Sequence, residues 1–125
     1  MNTGEISRRK VQVQALIDLN ETLKALEGDQ ELLQECLVLL AEDLPGRIGE
    51  MRAALDSGDL KKTSVVAHTI KGSVAVVGAT DLKKTALEVE AAARNEDSEK
   101  ARACIVSLEK QWNELQTFLR DRQLL

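Results

Sequence analysis

Residues 101–119 read ARACIVSLEKQWNELQTFL. Ala101, Cys104, Ile105, Leu108, Trp112, Leu115, Phe118 and Leu119 recur at a spacing of three and four, the period of a helix that buries one stripe. Working back from there, Asn95-Glu96-Asp97-Ser98 is a polar turn. Before it, Leu82, Ala86, Val89 and Ala93 repeat the same period, with Gly78-Ala79-Thr80 as a tight connection and Thr80 or Asp81 as the expected cap. Leu33, Cys36, Leu37, Leu40, Leu44, Met51 and Leu55 form another helical stripe, started by Gly28-Asp29 and ended by Ser57-Gly58-Asp59. Pro45-Gly46 interrupts that stripe without changing its phase, so one kinked helix is expected rather than two. A first helical stretch is expected from about Val11 to Leu26, after a flexible, polar tail at residues 1–10 that carries Arg8, Arg9 and Lys10.

Short loops make successive helices antiparallel neighbours. The expected fold is therefore all-α: an antiparallel up-down four-helix bundle with an additional N-terminal helix, occupying residues 11–125 as one domain. Composition agrees. Hydrophobic residues make up 43% of the 125 residues but aromatic ones only 2%, so the core is aliphatic, and one proline with seven glycines supplies too few turns for an all-β fold. A net charge of −4 argues against a general nucleic-acid binder, which needs a basic surface. The longest apolar runs, residues 36–41 and 74–79, fall far short of the ~20 residues that span a bilayer. Cys36 and Cys104 sit in apolar-periodic stretches without a CxxC spacing, which fits core thiols in a reducing, cytoplasmic compartment.

The chain has one histidine. On a 100° wheel Thr63, Val66, Ala67, Ile70, Val74 and Val77 gather on the core side, and His68 points roughly 160–180° away from them. Lys61, Ser64, Lys71, Gly72 and Ala75 are expected to share its exposed face, with Val65 and Val76 flanking it as apolar docking contacts. Val38 and Ala41, off the stripe of the preceding helix, are further docking candidates. A glycine inside a helix costs ~0.5–1 kcal/mol relative to alanine, so Gly72, one turn after His68, calls for a reason. Its missing side chain clears an approach to the imidazole, and Lys71 at i+3 brings a cation to the same space. An exposed imidazole, neutral and nucleophilic in ordinary surroundings, with a cleared approach and a cation, describes a site for a phosphoryl group. The stretch from Asp59 to Lys84 holds five lysines against two acidic residues, net +3 where the remainder is −7, a basic patch suited to steering an acidic partner.

Ala67-His68-Thr69-Ile70-Lys71-Gly72-Ser73, followed by Gly78-Ala79, Leu82 and Leu87-Glu88, resembles the signature of histidine-containing phosphotransfer (HPt) domains. The frame of Asp29, Leu32-Leu33, Leu40, Leu55 and Gly58-Asp59 resembles the same family, with Leu40 where many members carry phenylalanine. The resemblance covers about Leu19 to Leu119. It implies a phosphorelay intermediate of two-component signalling. His68 takes a phosphoryl group, on Nε2 in the family, from a receiver-domain aspartate and passes it to another receiver. The implied partners are receiver domains of response regulators or hybrid sensor kinases. Any Mg²⁺ belongs to the receiver, and the chain, expected to be a monomer, needs no cofactor and does no chemistry on ATP. In these terms His68 is the acceptor, Lys71 the charge partner and Gly72 the clearance, while Lys61, Ser64, Val65, Ala75 and Val76 bind the partner.

Other readings fare worse. One histidine cannot furnish the paired Glu-x-x-His ligands of a di-metal bundle, so no metal site is expected. A Ser64-His68 nucleophile pair lacks an elbow, oxyanion donors and an orienting acid in the sequence. A helical module that binds receivers without accepting phosphate leaves the presence of His68 unexplained. The phosphate-accepting domain of a chemotaxis-type kinase is disfavoured by Ser73 and the Gly78-Ala79 turn.

Overall fold

The computed structural model describes residues 16–125. Within them lie five helices, α1 (Leu19–Ala25), α2 (Gln30–Asp56), α3 (Leu60–Val76), α4 (Thr80–Arg94) and α5 (Ser98–Asp121), and no strand. Helices α2 to α5 pack in a closed ring, α2 on α3, α3 on α4, α4 on α5 and α5 back on α2, with α1 against α2. This is the expected antiparallel bundle with its extra N-terminal helix. The expected tail at residues 1–10 lies outside the described residues.

The local chemistry of the ends is repetitive. Asp18, Asp29, Asp59 and Asp97 each accept a hydrogen bond from the backbone N–H three residues on, at 3.0–3.1 Å. Each thereby satisfies one donor that a helix start leaves without an internal partner. The start of α4 differs from expectation. Ala79, not Thr80 or Asp81, occupies the cap position before α4, and no side chain caps it. Ala79 is fully buried, and its N–H closes the end of α3 by donating to Val74 O at 3.1 Å. Core packing has taken the position that capping would otherwise use.

The first helical stretch is also corrected. The expected run from Val11 to Leu26 falls partly outside the described residues, and within them it breaks at Ile17 and Asp18. Asp18 takes an extended-side conformation (φ −97°, ψ 85°), caps α1, and donates its N–H to Gly78 O at 3.0 Å. Thr22 completes this seam: its hydroxyl lies 2.7 Å from Asp18 O and 2.9 Å from Val77 O. Gly78 must be glycine twice over. Its φ is +72°, and a Cβ there would stand 2.3 Å from Thr22 Oγ1.

The long helix α2 runs unbroken through Pro45, as the preserved apolar phase requires. Every core position read from the periodicity is buried except Cys36 and Phe118, which are partly buried against the same cluster. The core is one contiguous, mostly aliphatic cluster that includes Trp112. Full burial of each Leu, Ile or Val side chain contributes about 1.5–3 kcal/mol, so local propensity is a minor term beside it.

Candidate functional site

Helix α3 places Thr63, Val66, Ala67, Ile70 and Val74 in the core, which turns His68 outward with its side chain 61% exposed. Gly72 lies open one turn further on, where an added Cβ would meet nothing within 4 Å. Lys71 folds back over the same turn and brings its Nζ to 3.3 Å from His68 Nδ1. Histidine, lysine and glycine thus converge as expected.

The residue that orients the ring comes from another helix. Glu90 of α4 is 6% exposed, and its Oε2 lies 3.2 Å and its Oε1 3.4 Å from His68 Nδ1. A buried carboxylate is costly unless paired, and Arg94, one turn later, supplies Nη2 at 2.9 Å from Oε1. In the tautomer with its proton on Nδ1, the imidazole donates to Glu90 and the lone pair is on Nε2. The site is therefore an exposed imidazole whose Nδ1 lies beside a buried carboxylate and the Lys71 ammonium, with Arg94 paired to that carboxylate.

Sequence reasoning missed Glu90 and Arg94. A signal existed: Glu90 stands four residues after Ala86 and eight after Leu82, on the apolar stripe of α4, where a charged residue is out of place.

Of the five residues expected to bind a partner, Lys61, Ser64 and Val65 line one groove beside α4, and Ala75 and Val76 lie at the C-terminal end of α3. Lys61, Ser64 and Val65 lie up to about 10 Å before His68 along the helix, and Ala75 and Val76 a similar distance after it. Lys61, Val65, Ala75 and Val76 are exposed, Val65 at 58% and Val76 at 62%. Ser64 is a correction, because only 8% of it is exposed. It falls on the flank of α3 that packs toward α4, and a small polar residue is what that close approach accommodates. Val38 of α2 is 37% exposed, and Ala41 is half-buried against the core. Arg52 pairs with Glu109 and Asp56 with Arg102, which ties the C-terminal part of α2 to α5. Leu32 and Leu39, at 39% and 64%, are the other exposed large apolar residues of α2.

Comparison with known proteins decides the family. The Hpt domain matches residues 31–118. The chain belongs to the Hpt domain family. It is similar to the phosphorelay intermediate protein rdeA of Dictyostelium discoideum, with 29% identity over 95 residues. That match takes in 76% of this chain but 37% of the relative, so the chain spans little more than a third of that protein's length. Among solved structures it is similar to the histidine-containing phosphotransfer protein ZmHP2 from maize, with a TM-score of 0.78 and 25% identity over 90% of this chain and 86% of that one. His68 lies inside the matched Hpt segment. No described helix of this Hpt protein is long and apolar enough to cross a membrane.

Proposed function

We propose that this Hpt protein is a phosphorelay intermediate of two-component signalling, in which His68 accepts a phosphoryl group from one receiver domain and delivers it to another. The observation that carries the reading is the buried Glu90 carboxylate on His68 Nδ1, which leaves Nε2 as the nucleophile. In the forward step the Nε2 lone pair attacks phosphorus of the receiver's aspartyl phosphate, the P–O bond to the aspartate breaks, and the aspartate leaves as a carboxylate. The imidazole then carries a proton on Nδ1 and the phosphoryl group on Nε2, and Glu90 stabilises the positive character of the ring. Lys71 is placed to shift from Nδ1 toward the phosphoryl oxygens, whose charge approaches two units. Gly72 leaves room for the receiver to come close.

The protein acts on this reading as a carrier rather than an enzyme. The receiver supplies the aspartate and its Mg²⁺, and ATP is not a substrate. Ala75 and Val76 beyond His68, with Leu39 across on α2, give the receiver an apolar landing surface. A module that binds receivers without accepting phosphate has no use for an oriented imidazole.

The test is label transfer from a ³²P-phosphorylated receiver. Wild type takes up acid-labile, base-stable label, as a phosphoramidate does. His68→Gln folds normally, since the side chain faces solvent, and takes up none. Labelling of His68→Gln at the wild-type rate overturns the assignment.

A further inference from the structure

Phosphoryl chemistry at His68 leaves one neighbouring feature without a use. The N-terminal half of α3 and the C-terminal end of α4 are separated by an open groove of about 410 Å³. Leu60 and Val65 on one side and Ala93 on the other form its apolar walls, and Lys61 and Arg94 bring cations to its two rims. Ser64 lines its floor.

The floor is unusual. Thr63, Thr69 and Ser73 of the same helix each donate a hydroxyl hydrogen bond to the carbonyl four residues back. Ser64 makes no such bond and has no other partner among the described residues, although it is 8% exposed. Its oxygen still reaches solvent at the groove, so an occupant can take the place of water as its partner.

Charge selects the occupant. Helix α3 carries Lys61, Lys62 and Lys71 and no acidic residue. Arg94 lines the groove and also reaches Glu90, so the groove is continuous with the site that holds His68. The single acid on the lining, Glu96, follows the end of α4 and repels an anion toward Lys61.

We propose that this groove receives a carboxylate side chain from the receiver surface that docks on His68. The carboxylate lies between Lys61 and Arg94 and accepts from the Ser64 hydroxyl, and an apolar neighbour on the receiver covers Val65. The groove thus distinguishes one receiver from another, one turn away from the chemistry. This inference rests on the phosphorelay reading above.

Purified ³²P-phosphorylated receiver domains are screened for transfer to wild type, and the one that labels it fastest is titrated against wild type, Lys61→Glu and Ser64→Leu. Lys61→Glu changes an exposed residue and keeps the fold, while Ser64→Leu fills the groove. Each variant is expected to raise the half-saturating receiver concentration about tenfold or more, with the rate at saturation within about twofold of wild type, because docking is weakened and the reacting groups are untouched. Unchanged half-saturation in Lys61→Glu overturns the groove while phosphotransfer to His68 stands, and so does a saturating rate that falls with half-saturation unchanged. If no receiver labels wild type, the phosphorelay reading fails and the groove falls with it.

Discussion

The Glu90 carboxylate of α4 meets Nδ1 of His68 on α3 at 3.2 Å, across 22 residues of sequence. The exposed imidazole is thereby fixed from its buried side, and Arg94 fixes the carboxylate in turn. Two successive helices, packed as antiparallel neighbours, thus hold one imidazole between them.

Removing that carboxylate is expected to slow transfer without unfolding the bundle. Glu90→Ala leaves Nδ1 without its acceptor, and a hydrogen bond to a charged group contributes about 1.5–3 kcal/mol, so transfer should fall roughly tenfold or more. Glu90→Gln keeps an acceptor oxygen and should lie between Glu90→Ala and wild type. Single-turnover transfer rates at saturating receiver check the order. Equal rates in all three proteins mean that Glu90 is structural only.

Gly72 sets propensity against function. Its Cβ position is open and its backbone is ordinary helix, so Gly72→Ala should raise stability by up to ~1 kcal/mol with little loss of transfer. Gly72→Glu should fold as well yet transfer poorly, because it places bulk and negative charge one turn from His68. Thermal unfolding and transfer rate are measured on the same proteins. Wild-type transfer by Gly72→Glu removes the clearance argument.

Gly78 and Gly58 form a matched pair. Both have left-handed φ, +72° and +80°, but only at Gly78 does a Cβ collide with Thr22. Gly58→Ala should cost about 1 kcal/mol in strain, and Gly78→Ala clearly more, about 2–3 kcal/mol, since α1 must also shift from its seat on Val77 and Gly78. Urea unfolding of the two variants isolates what the docking of α1 contributes. Equal losses mean that α1 adjusts at no cost.

Cys104 offers a pH test. Burial, and then the neighbouring Glu88 carboxylate, push its thiol above the ordinary value of 9.0. The folded state therefore keeps its proton where the unfolded state has lost it. Stability from this group is complete below pH 9.0 and declines as pH rises through the folded value. At pH 8, iodoacetamide should modify the partly buried Cys36 at least about tenfold faster than Cys104, with Cys104 reacting at the free-thiol rate only after denaturation. Mass spectrometry of the two peptides reads this directly. Equal rates in the native protein contradict it.

The bundle, its core and the exposure of His68 were legible in the sequence, because each follows from a period of 3.6 carried by residues near one another in the chain. Leu108, Trp112 and Leu115 can share a face only on a helix, and Ile70 and Val74 in the core oblige His68 to point out. Lys71 and Gly72 were legible for the same reason, as neighbours of His68 on one helical turn. The break at Asp18, the burial of Ser64 and the cap at Ala79 were not, since each is decided by another helix: Gly78 receives the Asp18 N–H, the end of α4 approaches Ser64 across the groove, and the core claims Ala79. Glu90 belongs with these. A wheel drawn for α4 alone places it among apolar residues as an anomaly, and only the packing of α4 against α3 converts that anomaly into the partner of His68. Periodicity fixes which face of a helix is buried. What that face meets is decided by long-range packing, where the free energy of desolvating a charge and pairing it exceeds any preference held within the segment.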